Sequence, residues 1–190
     1  MEQKVEKQAS LESVPVKRLK RELKYQGTIL KMYEDTVEVN GHQAKWDFIH
    51  HDGAAAVVPV MDDGKILMVT QYRNALERDT LEIPAGKLDA PGEPGIECAS
   101  RELEEETGYC SDDLTRILSL KTTVAFCDEF IDVYLAKNLK PGHQHLDEGE
   151  FIDVAAYEVD ELCDMIYAGT IQDAKTVAGI LAYKNLLNQD

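Results

Sequence analysis

The stretch from Pro84 to Tyr109 constrains this chain more than any other, because a helix signal and a charge pattern there must be satisfied together. Pro94 suits the first helical turn, where its missing N–H is not needed, and Gly108 suits the left-handed residue that closes a helix. On a 100° wheel Ile96, Ala99 and Leu103 form an apolar stripe able to pack on a sheet. Glu102, Glu105 and Glu106 fall on a neighbouring face, since positions i, i+3 and i+4 stack over one another. Each like-charged pair costs such a helix about 0.2 to 0.5 kcal/mol, so a cation should compensate. Arg101 can reach Glu105, Glu104 and Glu97, but one guanidinium cannot neutralise the cluster. Three carboxylates at one helix edge suit a hard divalent cation, and Mg²⁺ completes its shell with waters and substrate phosphates. The alternative on charge alone is a solvated acidic helix face.

A phosphate-bearing substrate would have to be admitted locally. The net charge of −16 over 190 residues gives no general affinity for nucleic-acid backbones or anionic membranes. The length fits one domain with a small appendage. Cys98, Cys110, Cys127 and Cys163 show no Cys-x-x-Cys pair or metal spacing, which points to reduced thiols and a cytoplasmic location. No signal peptide is evident, and the longest apolar run, Ala54 to Met61, is too short to cross a membrane.

Periodicity sets the remaining elements. Residues 1 to about 20 are polar, with Met1 to Ser13 a helix or loose chain. Thr28 to Tyr33, Thr36 to Val39 and Ala44 to Ile49 read as a three-stranded antiparallel sheet with a hairpin turn at Asn40-Gly41. Such a sheet is marginal alone and needs a covering surface, for which a partner subunit is one candidate. Strands are predicted at Gly53 to Pro59, Lys65 to Arg73, Thr80 to Ile83, Leu114 to Thr123, Phe130 to Ala136 and Phe151 to Tyr157. Helices are predicted at Asp160 to Tyr167 and Ala174 to Leu187. The sum is an α+β fold, a mixed sheet covered on both sides by helices, with residues 1–50 as an N-terminal β-rich segment and 51–190 as the main domain.

The stretch from Gly86 to Tyr109 resembles the Nudix box, whose pattern is Gly, five residues, Glu, seven residues, Arg-Glu-apolar-any-Glu-Glu-any-Gly-apolar. Gly86, Glu93, Arg101, Glu102, Leu103, Glu105, Glu106, Gly108 and Tyr109 supply it, with one extra loop residue between Gly86 and Glu93. Nearly the whole chain resembles the ADP-ribose pyrophosphatase branch of that family. The likeness rests on Gln71-Tyr72-Arg73, Glu82-Ile83-Pro84-Ala85-Gly86, Phe126 with Asp128-Glu129, and Leu146 to Phe151. It implies an α/β/α sandwich whose N-terminal strands dimerise, and Mg²⁺-dependent cleavage of ADP-ribose, or a similar nucleoside diphosphate sugar, to AMP and ribose 5-phosphate. Two or three Mg²⁺ ions, which Mn²⁺ can replace, would be held by Glu102, Glu105, Glu106, the Ala85 carbonyl and Glu150. Glu148 would act as base, with Glu105 and Arg101 as catalytic companions. Arg73, Glu82, Gly86 and Trp46 would contact substrate, although Arg73 is also readable as a surface ion pair and Trp46 as packing. His50, His51, His143 and His145 are assigned no metal. Thr123-Val124-Ala125 stands where the branch usually carries Ser-Pro-Gly, whose Pro marks ADP-ribose specificity. Hydrolysis of another nucleoside polyphosphate, or a module that only senses ADP-ribose, are the alternatives.

Overall fold

Six small apolar residues make the centre of the fold. In the computed structural model, which describes residues 15–90, 92–146 and 149–189, strand β4 (Ala54–Pro59) is buried along its whole length. A strand buried on both faces needs helices on both. Helix α1 (Gly95–Thr107) covers one face, where Ala55 and Val57 meet Cys98, Ala99 and Leu103. Helices α2 (Val159–Tyr167) and α3 (Ala174–Leu187) cover the other, where Ala54, Ala56 and Val58 join Leu162, Ile180 and Tyr183 in a larger core. The apolar stripe expected on α1 therefore needs one correction: Ile96 is exposed, and Cys98 lies with Ala99 and Leu103 on the buried face.

Around β4 runs a four-stranded mixed sheet, β7 (Ala85–Lys87), β4, β10 (Phe130–Lys137) and β9 (Asp113–Lys121), in which only β4 and β10 pair in parallel. A second, antiparallel sheet has the order β12 (Ile152–Tyr157), β5 (Ile66–Arg73), β6 (Arg78–Glu82). Two residues of β8 (Tyr109–Cys110) pair with two of β11 (Lys140–Pro141).

The chain divides into two compact units at His50/His51. The described part of the first is the antiparallel sheet β1 (Val16–Gln26), β2 (Lys31–Val39) and β3 (His42–His50), with Asn40 and Gly41 both at positive φ in the tight turn joining β2 to β3. Here the structure differs from expectation. The described end of the polar run and the chain beyond it, residues 16–26, form a strand of 11 residues, and the two short strands foreseen between 28 and 39 are one. Register shifts at Leu19 and Lys24 explain the miss: each bulge resets the alternation that marks a strand in sequence. Arg21 holds this sheet together, its guanidinium 2.7 and 2.6 Å from the Asp35 carboxylate and 3.7 Å from the Phe48 ring centroid. The expectation for Met1 to Ser13 lies outside the described residues.

Candidate active site

Helix α1 is fastened lengthwise to the short strand β7. Pro94 is its N-cap residue, and Gly108, at φ 73°, closes it in the left-handed conformation with its N–H on the Glu104 carbonyl. Glu106 Oε2 accepts a hydrogen bond from the Ala85 N–H at 3.0 Å, and the Arg101 guanidinium donates to the Lys87 carbonyl at 3.2 Å. Between these two contacts the Glu102 carboxylate lies so close to Gly86 that a Cβ there would fall 2.0 Å from Glu102 Oε1. Gly86 is thus fixed by space, since any side chain would evict the carboxylate.

Arg101 is the centre of an ionic network. One guanidinium nitrogen donates to Glu102 at 2.6 Å and to Glu105 at 3.1 Å, Nε lies 3.2 Å from Asp89, and the other terminal nitrogen lies 3.6 Å from Glu93. Glu93 also accepts from the Asp89 N–H at 2.6 Å, so the loop with the extra residue is closed back onto Arg101. The foreseen reach of Arg101 to Glu105 is present; its other partners are Glu102, Asp89 and Glu93.

This cation does not balance the site. Burial, reinforced by Glu105 and Glu150 and opposed by Arg101, pushes the Glu102 carboxyl up to about 6. Burial, with Glu102 and Glu150 adding to it, pushes Glu106 up to about 8 despite the Ala85 N–H. Glu102, Glu105, Glu106 and Glu150 therefore share one electrostatic environment. With Arg101 bridging Glu102 and Glu105, no three acidic, His or Cys side chains among the described residues surround a common point. The donor set, all carboxylate oxygen and short of positive charge, nevertheless fits a hard divalent cation.

A second cluster flanks the first. Glu82, fully buried, accepts both forks of Arg73 at 2.7 Å, the Thr80 hydroxyl at 2.6 Å and the Lys175 ammonium. Burial raises its carboxyl, but Arg73, Lys175 and Thr80 outweigh it and hold the group down at about 2. Arg73 is both an ion pair and a wall of a cleft of about 440 Å³, which Gly86, Lys87, Thr122, Glu129 and Lys175 also line. Glu82 stands beneath Arg73 with its oxygens spent on these partners. Trp46 belongs to β3 in the N-terminal unit and is half exposed, and His50 ends that strand. His51 accepts from the Gly53 N–H at 3.1 Å and lies 3.4 Å from Glu129. His145 is 3.8 Å from Glu105, with its N–H on the Glu105 carbonyl. Asp147 and Glu148 lie outside the described residues. Thr123 to Cys127 forms a turn without the usual proline, the Thr123 carbonyl accepting from Phe126 and Cys127 at 3.3 and 3.0 Å.

Lys175 had no signal in the sequence, because it lies 93 residues from Glu82 and looks like an ordinary helix-surface lysine. Gln144 likewise sits in an unpatterned loop, yet donates to the Glu106 carbonyl at 2.7 Å.

The site is thus a sheet between helical layers, with an acidic helix bolted to one strand beside a cleft lined by Arg73, Lys87 and Lys175. The NUDIX domain profile matches residues 50–179, and the chain belongs to the Nudix family as one of its hydrolases. It is 39% identical over 173 residues to an ADP-ribose pyrophosphatase of Bacillus subtilis (strain 168), covering 90% of this chain and 93% of that protein. It is 41% identical over 167 residues to a methanol dehydrogenase activator of Bacillus methanolicus, covering 86% and 90%. A crystal structure of an ADP compounds hydrolase superposes with a TM-score of 0.81 at 22% identity, over 92% of this chain and 95% of that one, which bears on the fold alone.

Among the described residues no helix is long and apolar enough to cross a membrane.

Proposed function

We propose that this chain hydrolyses the diphosphate of ADP-ribose, or of a closely similar nucleoside diphosphate sugar, to AMP and ribose 5-phosphate with Mg²⁺. The observation that carries the reading is the pair of buried carboxylates, Glu102 and Glu106, packed against Gly86 and Ala85, with Arg101 bonded to Glu102 alone of the two. The relatives named ADP-ribose pyrophosphatase supply the substrate class.

Glu102, Glu105, Glu106, Glu150 and the Ala85 carbonyl would hold two or three ions. Bound Mg²⁺ supplies charge for the phosphoryl oxygens and lowers the pKa of water. The chain's own groups do the rest. Arg73, kept flat by its two bonds to Glu82, presents its exposed edge to a phosphate. Arg101 bridges Glu102 and Glu105 and aligns them along the helix. A carboxylate of the 147–150 segment, with Glu148 the candidate, takes the proton as water oxygen bonds to one phosphorus and the bridging P–O bond breaks. The N-terminal sheet joins two copies, since it exposes Leu19, Leu23, Tyr25 and Met32.

The test is release of AMP from ADP-ribose measured against Mg²⁺ concentration. Turnover that saturates with Mg²⁺ and vanishes in excess chelator supports the reading, and chelator-resistant turnover sinks it. Pyrophosphate release from nucleoside triphosphates at higher kcat/KM would move the substrate to the other Nudix class.

A further inference from the structure

Lys175 is the least accountable charge in the molecule, a lysine whose side chain is 8% exposed. Its ammonium bonds Glu82 and lies 2.9 Å from Asp173 Oδ2. Asp173 is already committed, since the same oxygen caps α3 by accepting from the Thr176 N–H at 3.0 Å and its hydroxyl at 2.6 Å. Arg73 feels three carboxylates, Glu82 through two hydrogen bonds and Glu106 and Asp173 through space. Arg73 and Lys175 thus stand against Glu82 and Asp173, with Glu106 adding negative charge nearby, and the local balance depends on Lys175. Without it, Arg73 alone would meet Glu82 and Asp173, and the wall it forms in the cleft would turn acidic.

A buried carboxylate is an effective brace for a guanidinium, since the bidentate pair fixes its plane. It also cancels the guanidinium's charge, which is what a diphosphate would be attracted to. We propose that Lys175 is a positioning residue that resolves this conflict: it offsets Glu82, so that Arg73 is held rigid and still remains cationic toward substrate. This rests on the reading of the cleft as a diphosphate site. The arrangement joins β5, β6 and α3, so the first turn of the C-terminal helix tunes substrate binding through Arg73.

The experiment compares steady-state constants for ADP-ribose in wild type, Lys175→Met and the double variant Asp173→Asn/Lys175→Met, which leaves the Glu82 brace in place and keeps a capping side chain at the start of α3. The single change leaves an acidic excess, so KM rises by about tenfold while kcat stays within about threefold, as when ground-state binding alone is lost. The double change restores the balance by removing one charge of each sign, and KM returns to within about threefold of wild type. A KM for Lys175→Met within about threefold of wild type overturns the proposal, as does a double variant that keeps the tenfold defect. If the single variant does not fold, the double one decides by the same KM criterion, because it removes one charge of each sign and leaves the pair of Arg73 and Glu82 intact. Should wild type prefer another nucleoside polyphosphate, the substrate assignment fails, and the same comparison on that substrate still judges Lys175, because both compounds present a diphosphate.

Discussion

Glu106 carries the sharpest opposition between burial and charge. Its carboxyl is pushed from 4.5 up to about 8, so between those values the folded chain keeps a proton that the unfolded chain has lost. The stability this group contributes is full below pH 4.5 and is lost as pH rises to about 8, by at most about 1.4 kcal/mol per unit. In chelator, the melting midpoint of wild type should therefore fall between pH 6 and pH 8 relative to Glu106→Gln. Equal slopes for the two proteins would refute it. With Mg²⁺ present, Glu106→Gln should lower kcat by at least about a hundredfold, since even partners of metal ligands cost 10 to 100-fold. Gly86→Ala should be nearly as damaging, because its Cβ displaces the Glu102 carboxylate. A stability loss of about 1 to 3 kcal/mol by denaturant unfolding, with activity lost in the part that remains folded, is the expected result. The carboxylates were legible from spacing, since a helix makes neighbours of residues that a sequence lists apart, whereas Gly86 stood out only through the resemblance to the Nudix box. That Gly86 is required by space was not, for the crowding comes from a side chain 16 positions away.

Elements were legible wherever their periodicity was unbroken. Helix α3 begins and ends where the pattern places it, and Asp173 caps it. Strand β1 was lost because two bulges scramble its alternation, and the Glu82 cluster was lost because local pattern cannot report which helix end meets which strand. The join between α3 and β6 is made by Thr176, whose hydroxyl accepts from the Ile83 N–H at 3.0 Å while donating to Asp173. Thr176→Val keeps the shape and strands that buried N–H, at a cost of about 1 to 3 kcal/mol. Chemical denaturation should show the loss, and hydrogen exchange should show Ile83 less protected; an unchanged Ile83 amide would mean that another group had replaced the hydroxyl.

At the scale of the molecule, a chain of 21.3 kDa whose N-terminal sheet exposes so much apolar surface should run at twice that mass in light scattering. Leu23→Glu with Tyr25→Glu should return it to single mass without unfolding the domain from His51 onward, because that domain has its own core. A wild type of single mass would dismiss the paired state. The core domain was the most legible part of the fold, since β4 advertises itself as an unbroken apolar run.

The end of α1 does one thing more. Its last carbonyls receive Gly142, Gln144 and His145, so the chain leaving the helix layer is stitched down just before residue 146. Gly149 to Phe151, between that stitch and β12, line a second hollow with Gln71, Tyr72 and Arg73, so a change of length there would reshape that hollow while leaving the bonds at the helix end in place. A breeder of new specificities, natural or in the laboratory, has there a margin for experiment that costs the scaffold nothing.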